Sequence, residues 1–337
     1  MRTVWFSKGP DTTIGTYGSI YRMDALFAGS LFPREPFDCI VHSVYDHALN
    51  LRIPGKPLVY TLVTRPAFMH PLAAMLSGPG NLPIQFHCFN LSPGQAGYFN
   101  GQTLYITAGM EISFANVHRI PQIDEVPPPL GLTAGALKDR VSEAGALLEQ
   151  FQMQQDTELR WLAREHQVRY VPEEGTTRSG RFSAAAGSIV RALTDEKPEA
   201  ALYASLKLVG LGQGLTPSGD DFLCGLALAL QMRTTRSRTQ VNISSFAVDT
   251  WFWDLATKLG TVPSNMADSG ELTSMVSKSF LYLASQGCFS NVLVNLARVF
   301  ADPAQNLKNV LELMSQYGHS SGLDSATGFL FGMTAVD

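Results

Sequence analysis

Between Ile120 and Pro129 the chain reads Ile-Pro-Gln-Ile-Asp-Glu-Val-Pro-Pro-Pro, and the period of its hydrophobic residues differs on the two sides of this stretch. Proline fixes φ and lacks an N–H, so the triple proline ends any regular element and stiffens the backbone. Before it, from about residue 38 to 118, short β-like runs follow one another: Cys39 to Tyr45, Ala48 to Ile53, Leu58 to Thr64 and Pro83 to Phe89. Tyr98-Phe99-Asn100-Gly101-Gln102-Thr103-Leu104-Tyr105 then sets Asn-Gly between alternating aromatic runs, a hairpin signal that calls for positive φ at both central residues.

Beyond the prolines the spacing becomes that of helices. From Ala134 to about His166, Leu137, Val141, Leu147, Leu148, Phe151, Leu159 and Leu162 recur mostly at three- and four-residue intervals. Further helices are predicted at about 183–194, 198–209, 217–233, 244–259, 271–286, 289–301, 304–317 and 321–334, separated by Gly, Pro, Asp and Ser. The expected fold class is α+β. A β-rich barrel or sandwich domain occupies residues 1–125, a Pro-rich linker 126–133, and an all-helical C-terminal domain 134–337.

With 337 residues, 45% of them hydrophobic, the chain can fill two modest cores. Lys plus Arg total 25 against 29 Asp plus Glu, which gives no footprint for a nucleic-acid backbone. The one basic cluster, Arg233, Arg236 and Arg238, reads as a solvated loop after a helix. No apolar run is long enough for a membrane helix and no leader-like segment opens the chain, so a cytoplasmic location is expected. Cys39, Cys88, Cys224 and Cys288 lie far apart in apolar stretches and form no C-x-x-C pair. They predict neither a disulfide nor a zinc site.

The chemistry concentrates in Gly210-Leu211-Gly212-Gln213-Gly214-Leu215-Thr216-Pro217-Ser218-Gly219-Asp220-Asp221. A helix starts here, with Thr216 as N-cap and Pro217 first, or with Ser218 as cap and Asp221 closing a capping box. The glycines free the backbone for positive φ, so that amides from Gly212 to Thr216 and the helix dipole can cradle an anion such as phosphate. The spacing fits neither a P-loop nor a dinucleotide fingerprint, so ATP and NAD are not implied. A plain capped helix with close-packing glycines accounts for the same residues, but it needs only one carboxylate. The second, beside an anion site, asks for a cation, an oriented donor or a raised pKa. Mg²⁺ held by Asp220 or Asp221 is the one cofactor this raises.

The same grammar returns near the C-terminus. Ser218-Gly219-Asp220-Asp221 followed by Gly225, and Ser321-Gly322-Leu323-Asp324 followed by Gly328, both read S-G-x-D-x-x-x-G. Two such helices can cross at their glycines and aim both N-termini into one pocket, or each can be only a well-capped helix. His319, in the Gly/Ser loop Gly318 to Gly322, is the candidate proton donor, with Asp324 as its orienter or a cap. Backbone N–H groups from Ser320 through Ser321 to Gly322 are candidate oxyanion donors. Ser279 and Gln286 are candidates for holding a substrate carboxylate or amide, although an exposed polar stripe explains them nearly as well. His42, His47, His70, His87 and His118 show no ligand spacing and are read as ordinary residues of the β domain.

Gly210 to Asp221, the block Ser279-Phe280-Leu281-Tyr282-Leu283-Ala284-Ser285-Gln286-Gly287-Cys288-Phe289, and Gly318-His319-Ser320-Ser321-Gly322 with Asp324 and Gly328 together resemble the AllH-type subunit family of oxamate carbamoyltransferase. The resemblance covers roughly the last 130 residues, with a looser likeness at Asp46 to Leu51. It implies a part in a multi-subunit enzyme that transfers a carbamoyl group between oxalurate and phosphate in allantoin breakdown. The partners implied are other subunits and a phosphate or ureido acid, with no nucleic acid and no membrane. The other classes to be weighed are a non-catalytic assembly or regulatory subunit and a stand-alone binder of small anions.

Overall fold

The computed structural model describes residues 21–78, 84–107, 109–128, 130–155, 159, 178–234, 245–259 and 272–334. Its first half holds β1 (Tyr21–Ala28), β2 (Phe37–Val44), β3 (Ala48–Arg52), β4 (Val59–Val63), β5 (Ala73–Ser77), β6 (Ala96–Phe99), β7 (Thr103–Ile106), β8 (Met110–Ser113) and β9 (His118–Arg119). The strands run in the order β5-β4-β3-β2-β6-β7-β8-β1-β9, and β1 also pairs with β5. That last pairing closes eight strands into a barrel, with β9 laid parallel along the end of β1. Closure satisfies every edge, which a sandwich would leave exposed. Phe32, Leu49, Leu51, Leu62, Phe86, Phe99, Leu104 and Ile112 fill the interior.

Three expectations for this half need correction. The turn between β6 and β7 is centred on Gly101 and Gln102, and only Gly101 takes positive φ, at 96°. Asn100 instead turns its side-chain oxygen onto the amides of Gln102 and Thr103, at 2.9 and 2.8 Å, the local bonding that favours Asn in turns. Phe86–Cys88, inside the expected strand from Pro83 to Phe89, is a 3₁₀ turn, and Pro83 lies outside the described residues. Cys88 is an exposed thiol, whereas Cys39, Cys224 and Cys288 are buried as expected.

The second half is helical: α1 (Ala134–Gln154), α2 (Arg178–Thr194), α3 (Pro198–Leu206), α4 (Ser218–Thr234), α5 (Ser245–Lys258), α6 (Met275–Ser285), α7 (Asn291–Ala301), α8 (Leu307–Ser315) and α9 (Ser321–Thr334). Thr133 caps α1 by accepting from the amide of Ala136. The expected continuation of α1 to His166 falls, apart from Gln155 and Leu159, outside the described residues, as do Arg236 and Arg238. Arg233 is not in a solvated loop. It is buried in the last turn of α4 and donates to the carbonyl of Met333, where a cation complements the C-terminal end of α9. No helix among the described residues is long and apolar enough to cross a membrane.

α4 and α9 form the centre of this half, apolar on nearly every side. α6 joins the two cores: Phe280 packs against both, and Leu283 is buried in the barrel cluster. At the same junction the amide of Val59 donates to Ser279 Oγ at 2.8 Å, and the amide of Asn291 donates to the carbonyl of Met69 at 2.7 Å.

Candidate functional site

The site is organised by how closely α4 and α9 cross. A Cβ added at Gly225 would sit 1.8 Å from the carbonyl oxygen of Ser325, and one at Gly328 would sit 2.0 Å from that of Phe222. Phe222 and Ser325 hold equivalent places, each just after the motif's aspartate, so the contact is reciprocal. The two helices thus cross at their glycines, one of the two arrangements that the repeated motif allowed. Gly219 and Gly322 repeat the symmetry outward: a Cβ on them would meet the carbonyls of Leu208 and Met314 at 1.9 and 2.0 Å.

This crossing brings both helix starts together. Thr216 Oγ1 and Ser321 Oγ are 2.7 Å apart across the pair. The carbonyl of Pro217 accepts from the amides of Asp220 and Asp221, and that of Ser320 accepts from the amide of Asp324, so Pro217 and Ser320, rather than Thr216 or the motif serines, stand at the N-cap positions and each helix opens on its motif serine. Ser218 is buried in the first turn. The amides of Gly219 and Gly322 are engaged by the carbonyls of Leu211 and Tyr317, so of the three candidate donors in the second loop the amide of Gly322 is already used.

The adjacent carboxylates of α4 do different work. Asp220 turns back toward the incoming loop, where its Oδ1 accepts from the amide of Gly210 at 3.0 Å and its Oδ2 from the hydroxyl of Thr273. Burial raises its pKa against the pull of these bonds. Asp221 points toward α9. It is 8% exposed, its Oδ2 has no hydrogen-bond partner, and Asp324, at 0% exposure, lies close enough to repel it. Burial first, and Asp324 second, push the Asp221 carboxyl well above the usual carboxylate range, with the hydroxyls of Ser321 and Thr216 opposing them. The same burial raises the Cys224 thiol and the Tyr317 phenol, both further raised by Asp221.

Asp221 opens onto a cavity of about 30 Å³ that is partly open to solvent. Phe280, Leu283, Phe289, Val292, Leu293 and Met314 form its apolar wall, while Thr216, Cys224, Ser290, Tyr317 and Ser325 supply polar atoms. Among the described residues no Lys, Arg or His lines it. The wall residues Val292, Leu293 and Met314 carry no signal of their own in the sequence, although Phe280, Leu283 and Phe289 belong to the block that carries the resemblance. Barrel residue Phe68 stacks on Tyr317 with ring centroids 5.0 Å apart, so the first domain also braces this wall.

The loop ahead of α4 is shaped as its glycines suggest: Gly210, Gly212 and Gly214 take φ of 71°, 127° and 89°. Ser274 and Ser277 hold it by donating to the carbonyl of Leu215. A side chain at Gly214 would meet open space, and among the described residues the amides of 212–216 form no hydrogen bond to the protein. These amides are therefore open to an anion from outside. The donor set suits Mg²⁺ poorly. Asp220 is already doubly engaged, and no group of three His, Cys, Asp or Glu able to hold a metal occurs among the described residues.

Of the remaining predicted site residues, His319 is exposed in the turn before α9 and does not line the cavity. Ser279 lies at the barrel junction, where its hydroxyl donates to Met275 while accepting from Val59, and Gln286 is exposed at the end of α6. The structure therefore groups Thr216, Asp221, Ser321, Gly322 and Asp324, and sets Ser279 and Gln286 apart from them.

A family model described as oxamate carbamoyltransferase subunit AllH matches residues 208–333, the stretch that includes both motif helices. A second, described as AllH family N-terminal domain, matches residues 20–119, the barrel. No solved structure matches the chain.

Proposed function

Because the chain belongs to the AllH family of oxamate carbamoyltransferase subunits, we propose that it moves a carbamoyl group between a ureido acid such as oxalurate and phosphate, and that the paired starts of α4 and α9 form its substrate site. One observation carries this reading: the two S-G-x-D motifs converge on one cavity, where Asp221 Oδ2 is buried without a partner. Capping and packing account for the glycines and serines but leave that oxygen unexplained, and a buried polar atom without a partner costs about 1–3 kcal/mol unless a ligand meets it.

Phosphate sits on the open amides of 212–216, where the start of α4 favours negative charge. One of its oxygens forms a bond to the ureido carbon, the bond from that carbon to the departing oxamate nitrogen breaks, and that nitrogen takes up a proton. Amides of Ser320 and Ser321 stabilise the oxyanion formed on the way. His319, outside the cavity, supplies the proton where the substrate extends past Ser321. The family name implies further subunits, and the enzyme works as a multi-subunit complex in the cytoplasm. A second reading, an assembly or regulatory subunit, draws on the Gly225–Gly328 crossing, which explains the small residues without chemistry.

The test is phosphorolysis of oxalurate by the complex purified from its native source, rebuilt with Asp221→Asn. A loss of about a hundredfold or more in kcat/KM is expected. Unchanged turnover would favour the assembly reading.

A further inference from the structure

The proposed reaction joins two chemically opposite groups, a phosphate dianion and a neutral carbamoyl, and the two halves of the site differ in the same sense. We infer that the cavity between α4 and α9 binds the neutral, N–H-bearing carbamoyl end of the substrate against the Asp221 carboxyl, and that it excludes phosphate. This inference rests on the function proposed above and assigns one end of the substrate to a place within it.

Three features of the cavity carry the assignment. Its wall is apolar and no cation lines it, so an anion entering would give up its hydration for no opposite charge. Nor does either neighbouring carboxyl, Asp221 or the Asp324 buried close behind it, offer an anion a positive charge. At about 30 Å³ the cavity has room for a small neutral group such as a flat carbamoyl. A carbamoyl group also answers Asp221 in either protonation state. Its N–H₂ donates to the carboxylate, and its C=O accepts from the carboxylic acid. Phosphate is compatible with only one of these.

Thr216 stands at the division. It lines the cavity through its side chain and ends the run of open amides outside. The site thus holds its neutral group inside and its anion outside, with the reacting atoms meeting at this residue.

The experiment uses the isolated full chain and two probes, ethylurea and inorganic phosphate, followed by amide chemical shifts in NMR. Ethylurea should saturate shifts at Gly322 and Ser325, and phosphate should move Gly212 and Gly214 without displacing it. Asp221→Leu, branched at the same atom but bulkier and unable to hydrogen-bond, should weaken ethylurea at least about tenfold and leave phosphate binding within about twofold. Asp221→Asn, which keeps a donor and an acceptor, should retain most ethylurea binding and guards against misfolding of the leucine variant. Competition between the probes, absence of saturation by ethylurea, or an Asp221→Leu protein that binds it normally would overturn the inference. These outcomes are separate from turnover. Ureide binding with unimpaired activity of the Asp221→Asn complex sinks the catalytic reading alone, whereas lost activity without ureide binding sinks the inference alone.

Discussion

The start of α4 is entered through three glycines at positive φ and carries Asp220 and Asp221, whereas α9 is entered through Gly318 alone and has Leu323 in the place of Asp220. The backbones match, down to the glycines that cross, but the surroundings do not. Asp220 ties the glycine loop to its own helix, while Leu323 is wholly buried in the apolar core. Thr216 reaches the cavity, while His319, in the equivalent place, is exposed. The repeat supplies a symmetric frame, and the asymmetric residues give one helix a loop shaped for an anion and the other an apolar support.

The most direct way to break the symmetric frame is Gly225→Ala or Gly328→Ala. Each would force a methyl group far inside van der Waals contact with a carbonyl oxygen, so each should cost about 3 kcal/mol or more in urea unfolding. The two costs should be similar, and the double variant should lose less than their sum, because separating the helices once relieves both clashes. One glycine tolerating alanine would refute the reciprocal contact.

Asp220→Asn comes next. An amide in place of the carboxylate leaves either Gly210 or Thr273 facing a donor, and the expected loss is about 1–3 kcal/mol. Neutral stability would mean that the loop is not held by this side chain.

Asp221→Asn should have the opposite sign, and this contrast between neighbours sharpens the comparison most. The folded Asp221 keeps its proton to higher pH than the unfolded chain, whose ordinary value is about 3.8. Its contribution is therefore most favourable below the unfolded value and is lost as pH rises toward the folded one. The variant should be more stable than the parent at pH 7 by about 1 kcal/mol or more, since each unit of such a shift is worth about 1.4 kcal/mol. That advantage should shrink as pH falls toward 4. A parent more stable than the variant at pH 7 would show that the carboxylate is satisfied in the fold. A gain in stability together with lost activity is the pattern expected of a functional group held at a cost to the fold.

The smallest effect is expected at His319→Asn. An exposed turn position should shift unfolding by no more than about 0.5 kcal/mol, so any fall in turnover by the complex reports on the proton donor and not on folding. A larger shift in unfolding would mean that the imidazole has a structural role.

Local patterns carried much of this protein. The change from β to helical period around the triple proline and the helix starts near Ala134, Ser218 and Ser321 follow from spacing and capping, which act within a few residues, whereas the meeting of the two S-G-x-D motifs, far apart in the chain, was one of two arrangements the sequence allowed. Tertiary structure alone decided the rest. β1 and β5 give no clear alternation, because a bulge between Ala25 and Phe27 interrupts one and small alanines begin the other, yet their pairing closes the barrel. Asp220 and Asp221 are indistinguishable as neighbours in a string. One residue on a helix is a turn of about 100°, and that rotation sends the first to Gly210 and Thr273 and the second to α9. The cavity wall is drawn from Phe280, Leu293, Met314 and Tyr317, on separate elements. No periodicity links such residues, because only the packed fold brings them round one carboxylate.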